Sequence, residues 1–250
     1  MIMSSKALVV LSGGQDSTTC LYWAKAQFNS VEAITFNYGQ RHSRELEAAR
    51  IVAKMAHVPQ HTLDIGPILR GASPLINPNS ELEQYRDAAS LPGGLEKTFV
   101  PGRNALFLVL AANYAYAIGA LGIVTGVSAE DYGGYPDCRR PFILGMQHAL
   151  RMGLAVDEFD PWHDLTIHTP LMHLSKKETV ELARTFPGCW EAMAYTHTAY
   201  DGAYPPIGHD HATLLRAKGF EEAGYPDPLV LRAVREGLMP IPTTENYHGV

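Results

Sequence analysis

Ala7-Leu8-Val9-Val10-Leu11 runs directly into Ser12-Gly13-Gly14-Gln15-Asp16-Ser17-Thr18, and this stretch decides the fold. The apolar run has the length and continuity of a strand buried on both faces, which predicts a central strand of a parallel sheet. The glycine-bearing turn opens into a helix with spacing Leu21, Ala24, Lys25 and Phe28. A strand, a tight turn and a helix N-terminus aim backbone N–H groups at one point, where an anion binds. Leu11 and the segment Ser12 to Thr18 are therefore candidate phosphate contacts, with the hydroxyls of Ser12, Ser17 and Thr18 as further donors. The loop lacks the lysine and spacing of a Walker A motif. Asp16 is an acid where an anion is expected, which makes sense with a divalent cation between carboxylate and pyrophosphate. A purely structural Gly-Gly turn is the alternative.

Working outward, Val31 to Phe36 alternates as a second strand, Ser43 to Ala56 is helical, and Gln60 to Ile65 is a third strand. A helix from about Asn104, a strand at Leu121–Thr125, a helix at Arg140–Met152, a strand near Leu165–His168 and a helix at Ser175–Thr185 continue the alternation. Ser175 and Glu178 form a capping-box pattern. The succession predicts a doubly wound parallel five-stranded α/β sheet with its ligand at the carboxyl ends of the strands. Gly66 to Thr98 is long and weakly patterned, the form of a lid-like loop. The α/β domain is expected over 1–188. The segment 189–250 contains a helix near Pro228–Glu236, and no function is assigned to the tail from Tyr225 onward.

Composition narrows the partners. The chain of 250 residues carries 20 Lys and Arg against 26 Asp and Glu, a net charge of -6, so no basic field holds a polynucleotide or an anionic membrane. Asn104 to Ala129 has no charged residue, but Asn113 and two glycines interrupt it and no second span exists, which disfavours a transmembrane reading. Three cysteines, Cys20, Cys138 and Cys189, make no disulfide framework, and no signal-peptide pattern is present, so a cytoplasmic protein is expected.

Ser12-Gly13-Gly14-Gln15-Asp16-Ser17 resembles the pyrophosphate loop of the PP-loop ATP pyrophosphatases, of adenine nucleotide alpha hydrolase-like fold. Five more blocks narrow the likeness: Tyr38 to His42, Phe99 to Asn104, Thr125 to Val127, Asp131 to Arg139, and Thr169 to Leu171. In order, and to about Phe220, the chain resembles the 7-cyano-7-deazaguanine synthase (QueC) family. The resemblance implies ATP as cosubstrate, with Mg held through ATP near Asp16. It also implies adenylation of a deazaguanine carboxylic acid, amide formation with ammonia, and dehydration to the nitrile preQ0.

On that reading Arg103, Asn104 and Gly126 join the loop on the ATP side. Tyr38, Gln40, Arg41, Asp131, Tyr135 and Asp137 face the substrate, where carboxylates and an aromatic ring suit a guanine-like base. A glycine-rich surface turn capped by aspartates is the other reading of the Asp131 block. Lys176 starts a helix, unfavourable for a cation unless an anion faces it, and is assigned with Ser12 and Asp16 to catalysis. Solvated surface lysines at 176 and 177 are the alternative.

The family's C-terminal zinc cysteines are missing: their positions are Ala199, Ile207, Asp210 and Thr213. Zinc is expected to be absent, since four thiolates are gone. A replacement site from His197, His209, Asp210 and His211 is the other possibility. The loss leaves two alternatives open, transfer of the activated acid to an amine on a protein, and a binding module without turnover. No glutaminase domain supplies ammonia, and the resemblance implies a homodimer.

Overall fold

The computed structural model describes residues 3–41, 43–77, 79–91, 94–128 and 135–249. Five strands, β1 (Met3–Val10), β2 (Phe28–Asn37), β3 (Gln60–Asp64), β4 (Gly122–Val124) and β5 (Thr166–His168), form one sheet in the order β3-β2-β1-β4-β5. Every neighbouring pair is parallel. The expected five-stranded parallel sheet is thus present, with β1 at its centre.

Side chains alternate along β1 and divide the core in two. Ala7 and Val9 point to one face, where they meet α1 (Gln15–Gln27) through Leu21 and Ala24 and α2 (Arg44–Met55) through Ala49 and Val52. Leu8 points to the other, packing with Ile34, Ile123 and the Leu108, Ala111 and Ala115 stripe of α3 (Arg103–Ile118). Ile143, the one buried residue of α4 (Arg140–Leu154), belongs to this second core. The chain moves outward from β1 to β3, then crosses the sheet through α3 to reach β4 on the opposite side of β1. This reversal opens a crevice beyond the carboxyl ends of β1 and β4.

Element boundaries differ from the sequence reading at one point of consequence. β2 begins at Phe28, immediately after α1, because extended backbone at Phe28 closes the helix and places its ring beside Trp23 and His168. α5 (Lys176–Thr185) starts as the pattern predicts: Ser175 N–H donates to Glu178 Oε2 at 2.8 Å and Glu178 N–H to Ser175 Oγ at 3.3 Å. α3, the uncharged stretch, is broken at Gly119, and no described helix is long and apolar enough to cross a membrane.

Beyond residue 188 come α6 (Cys189–Met193), α7 (His211–Ala223) and α8 (Pro228–Arg235). α7 lies against α5 and buries His211, Thr213, Arg216, Gly219 and Phe220. Asp210, at one of the missing cysteine positions, caps it: Thr213 N–H and Oγ1 donate to its carboxylate at 3.1 and 2.8 Å. Thr213 stands at another of those positions, so an N-cap joins two of them. Ala199 is buried and Ile207 is 63% exposed.

The 66–98 loop holds one short 3-10 turn, Ala88–Ser90. It is fastened to the C-terminal segment by Tyr85 N–H on the His209 carbonyl at 2.9 Å and by a buried Glu96–His211 pair. Arg41 ties it back to the sheet through the Ser80 carbonyl at 3.1 Å.

Candidate active site

The crevice at the carboxyl ends of β1 and β4 is a cavity of about 320 Å³, in the range of small-molecule sites. Of the candidate residues, Leu11, Ser12, Gly14, Gln15, Asp16, Ser17, Tyr38, Gln40, Arg41, Arg103, Asn104, Gly126, Tyr135 and Lys176 line it. Gly13, Thr18 and Asp137 do not, and Asp131 lies outside the described residues.

The loop is shaped by its own hydroxyls. Ser12 Oγ and Ser17 Oγ are 3.0 Å apart, Ser12 N–H donates to Ser17 Oγ at 3.2 Å, and Ser17 Oγ donates to the Gly14 carbonyl at 3.1 Å. Gly13 has φ +87°, and a Cβ there would stand 2.4 Å from the Glu45 carbonyl and 2.6 Å from Ala49 N. Only glycine permits this turn while α2 packs against it. His197 N–H donates to the Gly13 carbonyl at 2.9 Å, so the C-terminal segment closes the other side of the loop.

Two of the residues lining the cavity each carry a buried polar atom with no hydrogen-bond partner among the described residues, Gln15 at Nε2 and Asp16 at Oδ1. Such groups are rare unless something binds them. A donor at Gln15 suits a phosphate oxygen. An acceptor at Asp16 suits a cation, and a magnesium ion accompanying phosphates needs few protein carboxylates. The other Asp16 oxygen accepts a 2.7 Å hydrogen bond from Lys176 Nζ, bringing together two residues 160 apart in sequence. Thr18 is fully buried in α1 and does not line the cavity; its Oγ1 too has no hydrogen-bond partner among the described residues.

Gly126 follows β4, and a Cβ there would come within 3.1 Å of Asp16 C and Ser17 N. The glycine is thus required by the close approach of the α1 backbone. Arg103 opens α3 and stands among Tyr38, Tyr135 and Tyr200; although burial opposes its charge, these phenols hold its pKa up. Asn104 supports the 136–138 turn, donating to the Asp137 carbonyl at 3.3 Å and to Cys138 Sγ at 3.4 Å. Tyr135 shares a 2.6 Å hydrogen bond with Thr98 Oγ1, and burial pushes its phenol up to about 12. The Asp137 side chain is buried beneath this turn, and burial raises its carboxyl pKa.

The cavity also contains residues the sequence did not single out, Glu45, Phe107, Thr198, Tyr200 and Arg216, and His197, which the sequence offered only as a metal ligand. Glu45 was detectable as an acid in the first turn of the helix after the Tyr38 block. Tyr200 and Thr198 stood in the altered cysteine segment, read there only for its missing ligands. No group of three or more His, Cys, Asp or Glu side chains among the described residues is arranged to hold a metal, and His197 Nε2 instead lies 2.9 Å from the Ala199 carbonyl.

A parallel sheet reversing at β1/β4, a serine-glycine turn entering α1 there, and two unpartnered polar atoms beside that turn are the features of an ATP-binding α/β protein of the PP-loop class. Comparison with known families makes this specific. The model described as queuosine biosynthesis protein QueC matches residues 6–224, and the chain belongs to that family. The 7-cyano-7-deazaguanine synthase of Chromobacterium violaceum is 51% identical over 235 residues, covering 92% of this chain and 95% of that protein. Synthases of the same name from Gloeobacter violaceus and Laribacter hongkongensis are 48% and 49% identical, each over 90% of this chain and covering 95% and 94% of those proteins.

Proposed function

We propose that this chain is an ATP-dependent carbon–nitrogen ligase that converts 7-carboxy-7-deazaguanine and ammonia, through an acyl-adenylate and an amide, into 7-cyano-7-deazaguanine. The observation that carries the reading is identity near one half, over nine-tenths of the chain, to proteins named for that product. The cavity supports it, since most of the residues the family resemblance assigns to ATP and substrate line one space.

In this reading the substrate carboxylate attacks the α-phosphorus and pyrophosphate leaves. Ser12, the loop N–H groups, Gln15 and Lys176 compensate the charge that develops on the departing group, a task of positioning and electrostatics. Asp16 would hold the magnesium ion, which supplies further charge neutralisation of the phosphates. Tyr38, Gln40, Arg41 and Tyr135 form the substrate side. No protein nucleophile is required.

Two further assignments belong to the proposal. The site is cytoplasmic, consistent with three cysteines that are all free thiols. The protein is a homodimer, as the family resemblance implies. The test of function is product analysis by mass spectrometry with ATP, magnesium, the acid and ammonium. A nitrile that depends on ammonium, with AMP and pyrophosphate released, is expected; absence of both acid-dependent AMP and nitrile overturns the proposal.

A further inference from the structure

The ammonia step needs a group that the pyrophosphate loop does not supply. At neutral pH ammonia is almost entirely ammonium, which has no lone pair to attack an acyl carbon. A site using free ammonium must bind a cation and remove its proton next to the activated acid.

Among the described residues lining the cavity there are two carboxylates, Asp16 and Glu45. Asp16 is engaged by Lys176. The other ionisable groups are poorly suited as bases. Arg41, Arg103 and Arg216 stay protonated, Lys176 donates to Asp16, Tyr38 and Tyr135 are held above the ordinary phenol range by burial, Tyr200 is a phenol beside Arg103, His197 Nε2 is turned to the Ala199 carbonyl at 2.9 Å, and Cys138 Sγ accepts from Asn104. Glu45 lies in the first turn of α2, whose backbone packs directly on Gly13 of the pyrophosphate loop. Its side chain makes no hydrogen bond to any described residue and faces Arg103 of α3 and Tyr38 at the end of β2. A helix N-terminus alone would favour the ionised form. Burial outweighs that and Arg103 together and pushes the Glu45 carboxyl up from the usual 4.5 to about 7. A carboxylate that lines a reaction cavity, lacks a hydrogen bond and is poised near neutrality has the properties of a general base.

We propose, resting on the function given above, that Glu45 is the ammonium-binding group and proton acceptor for the nitrogen nucleophile. Its carboxylate receives ammonium and takes one proton. The freed lone pair forms the C–N bond to the acyl carbon, and the bond from that carbon to the adenylate oxygen breaks, with the electron pair leaving on AMP. The surplus proton of the new C–N group leaves on the AMP phosphate, so amide, AMP and protonated Glu45 result. Solvent resets the carboxyl before the next turnover.

The experiment compares wild type, Glu45→Gln and Glu45→Asp with two nucleophiles, ammonium and hydroxylamine, the latter already unprotonated at neutral pH. Acid-dependent ATP–pyrophosphate exchange is followed alongside, and thermal unfolding verifies that each variant folds. Glu45→Gln should lose ammonium-dependent amide and nitrile by about 10²- to 10⁴-fold. It should keep exchange and hydroxamate formation, and Glu45→Asp should recover part of the ammonium reaction. In wild type the ammonium-dependent rate should rise to about pH 7 and level off above it, whereas the residual turnover of Glu45→Gln should keep rising with the fraction of free ammonia. Unchanged ammonium-dependent turnover in Glu45→Gln overturns the assignment. So does a proportional loss of exchange and hydroxamate, which would make Glu45 a residue of the adenylation half. Wild type without acid-dependent exchange or product removes the proposed function, and the role of Glu45 with it.

Discussion

Replacing Asp227 with Asn tests how the C-terminal segment is held together without the family's thiolate ligands. Asp227 receives two hydrogen bonds from Arg216, from Nε at 2.6 Å and Nη2 at 2.9 Å, and both side chains are only 3% exposed. Arg216 also donates to Thr196 Oγ1 at 2.7 Å and Thr198 Oγ1 at 2.9 Å, so one guanidinium links α7, the 196–198 segment of the cavity wall and the start of α8. The carboxylate lies beyond residue 224, where the family match ends, and comes from the tail that the sequence left without a role. Asn keeps the volume and the cap on Leu229 N–H, so the substitution isolates the charge. Leaving a buried guanidinium uncompensated costs about 3–5 kcal/mol. At about 2–4 °C per kcal/mol for a chain of this size, Tm should fall by about 6–20 °C. The assay is thermal unfolding by circular dichroism, with and without EDTA. Removing both charges, Arg216→Met with Asp227→Leu, should restore much of the loss, because the penalty is the orphaned charge. A fall of less than about 1 kcal/mol in Asp227→Asn, or a wild-type Tm lowered by chelator, refutes the argument.

Further outcomes follow from the site. Asp16→Ala should lower acid-dependent pyrophosphate release by about 10²-fold or more, and Lys176→Ala should do the same while leaving the fold intact; full retention in either removes its role. Gly126→Ala forces a methyl against the Asp16–Ser17 backbone and should destabilise by about 1–3 kcal/mol with loss of ATP use, read by urea unfolding and exchange assays. Because the folded-state pKa of Glu45 is raised, the native state binds the extra proton between about pH 4.5 and 7, and stability falls as pH rises through that window. Glu45→Gln should therefore raise Tm at pH 8 more than at pH 5; an equal effect at both contradicts the burial argument.

The sheet was legible because its central strand and its turns carry strong local signals. The apolar run 7–11, the alternation at 31–36 and the helical spacing of α2 are each satisfied within one element, and periodicity reports one element at a time. α7 gave no such signal. It buries His211, Thr213, Arg216 and Gly219 together with Phe220, so polar and apolar residues share its inner face and no stripe marks it. Its polar residues are buried because partners outside the helix, Asp227 just beyond it and Glu96 far back along the chain, meet them there.

The same division runs through the candidate site. The sequence by itself determined the order of elements, the position of the anion-binding turn and the family, because these depend on neighbouring residues and on motifs kept in register. Only the tertiary structure decided that Lys176 meets Asp16, that Glu45 shares the cavity with Arg103, and that Thr18 and Asp137 do not line it. Burial and charge pairing act through space, and the residues that set them here are separated by tens to more than a hundred positions along the chain.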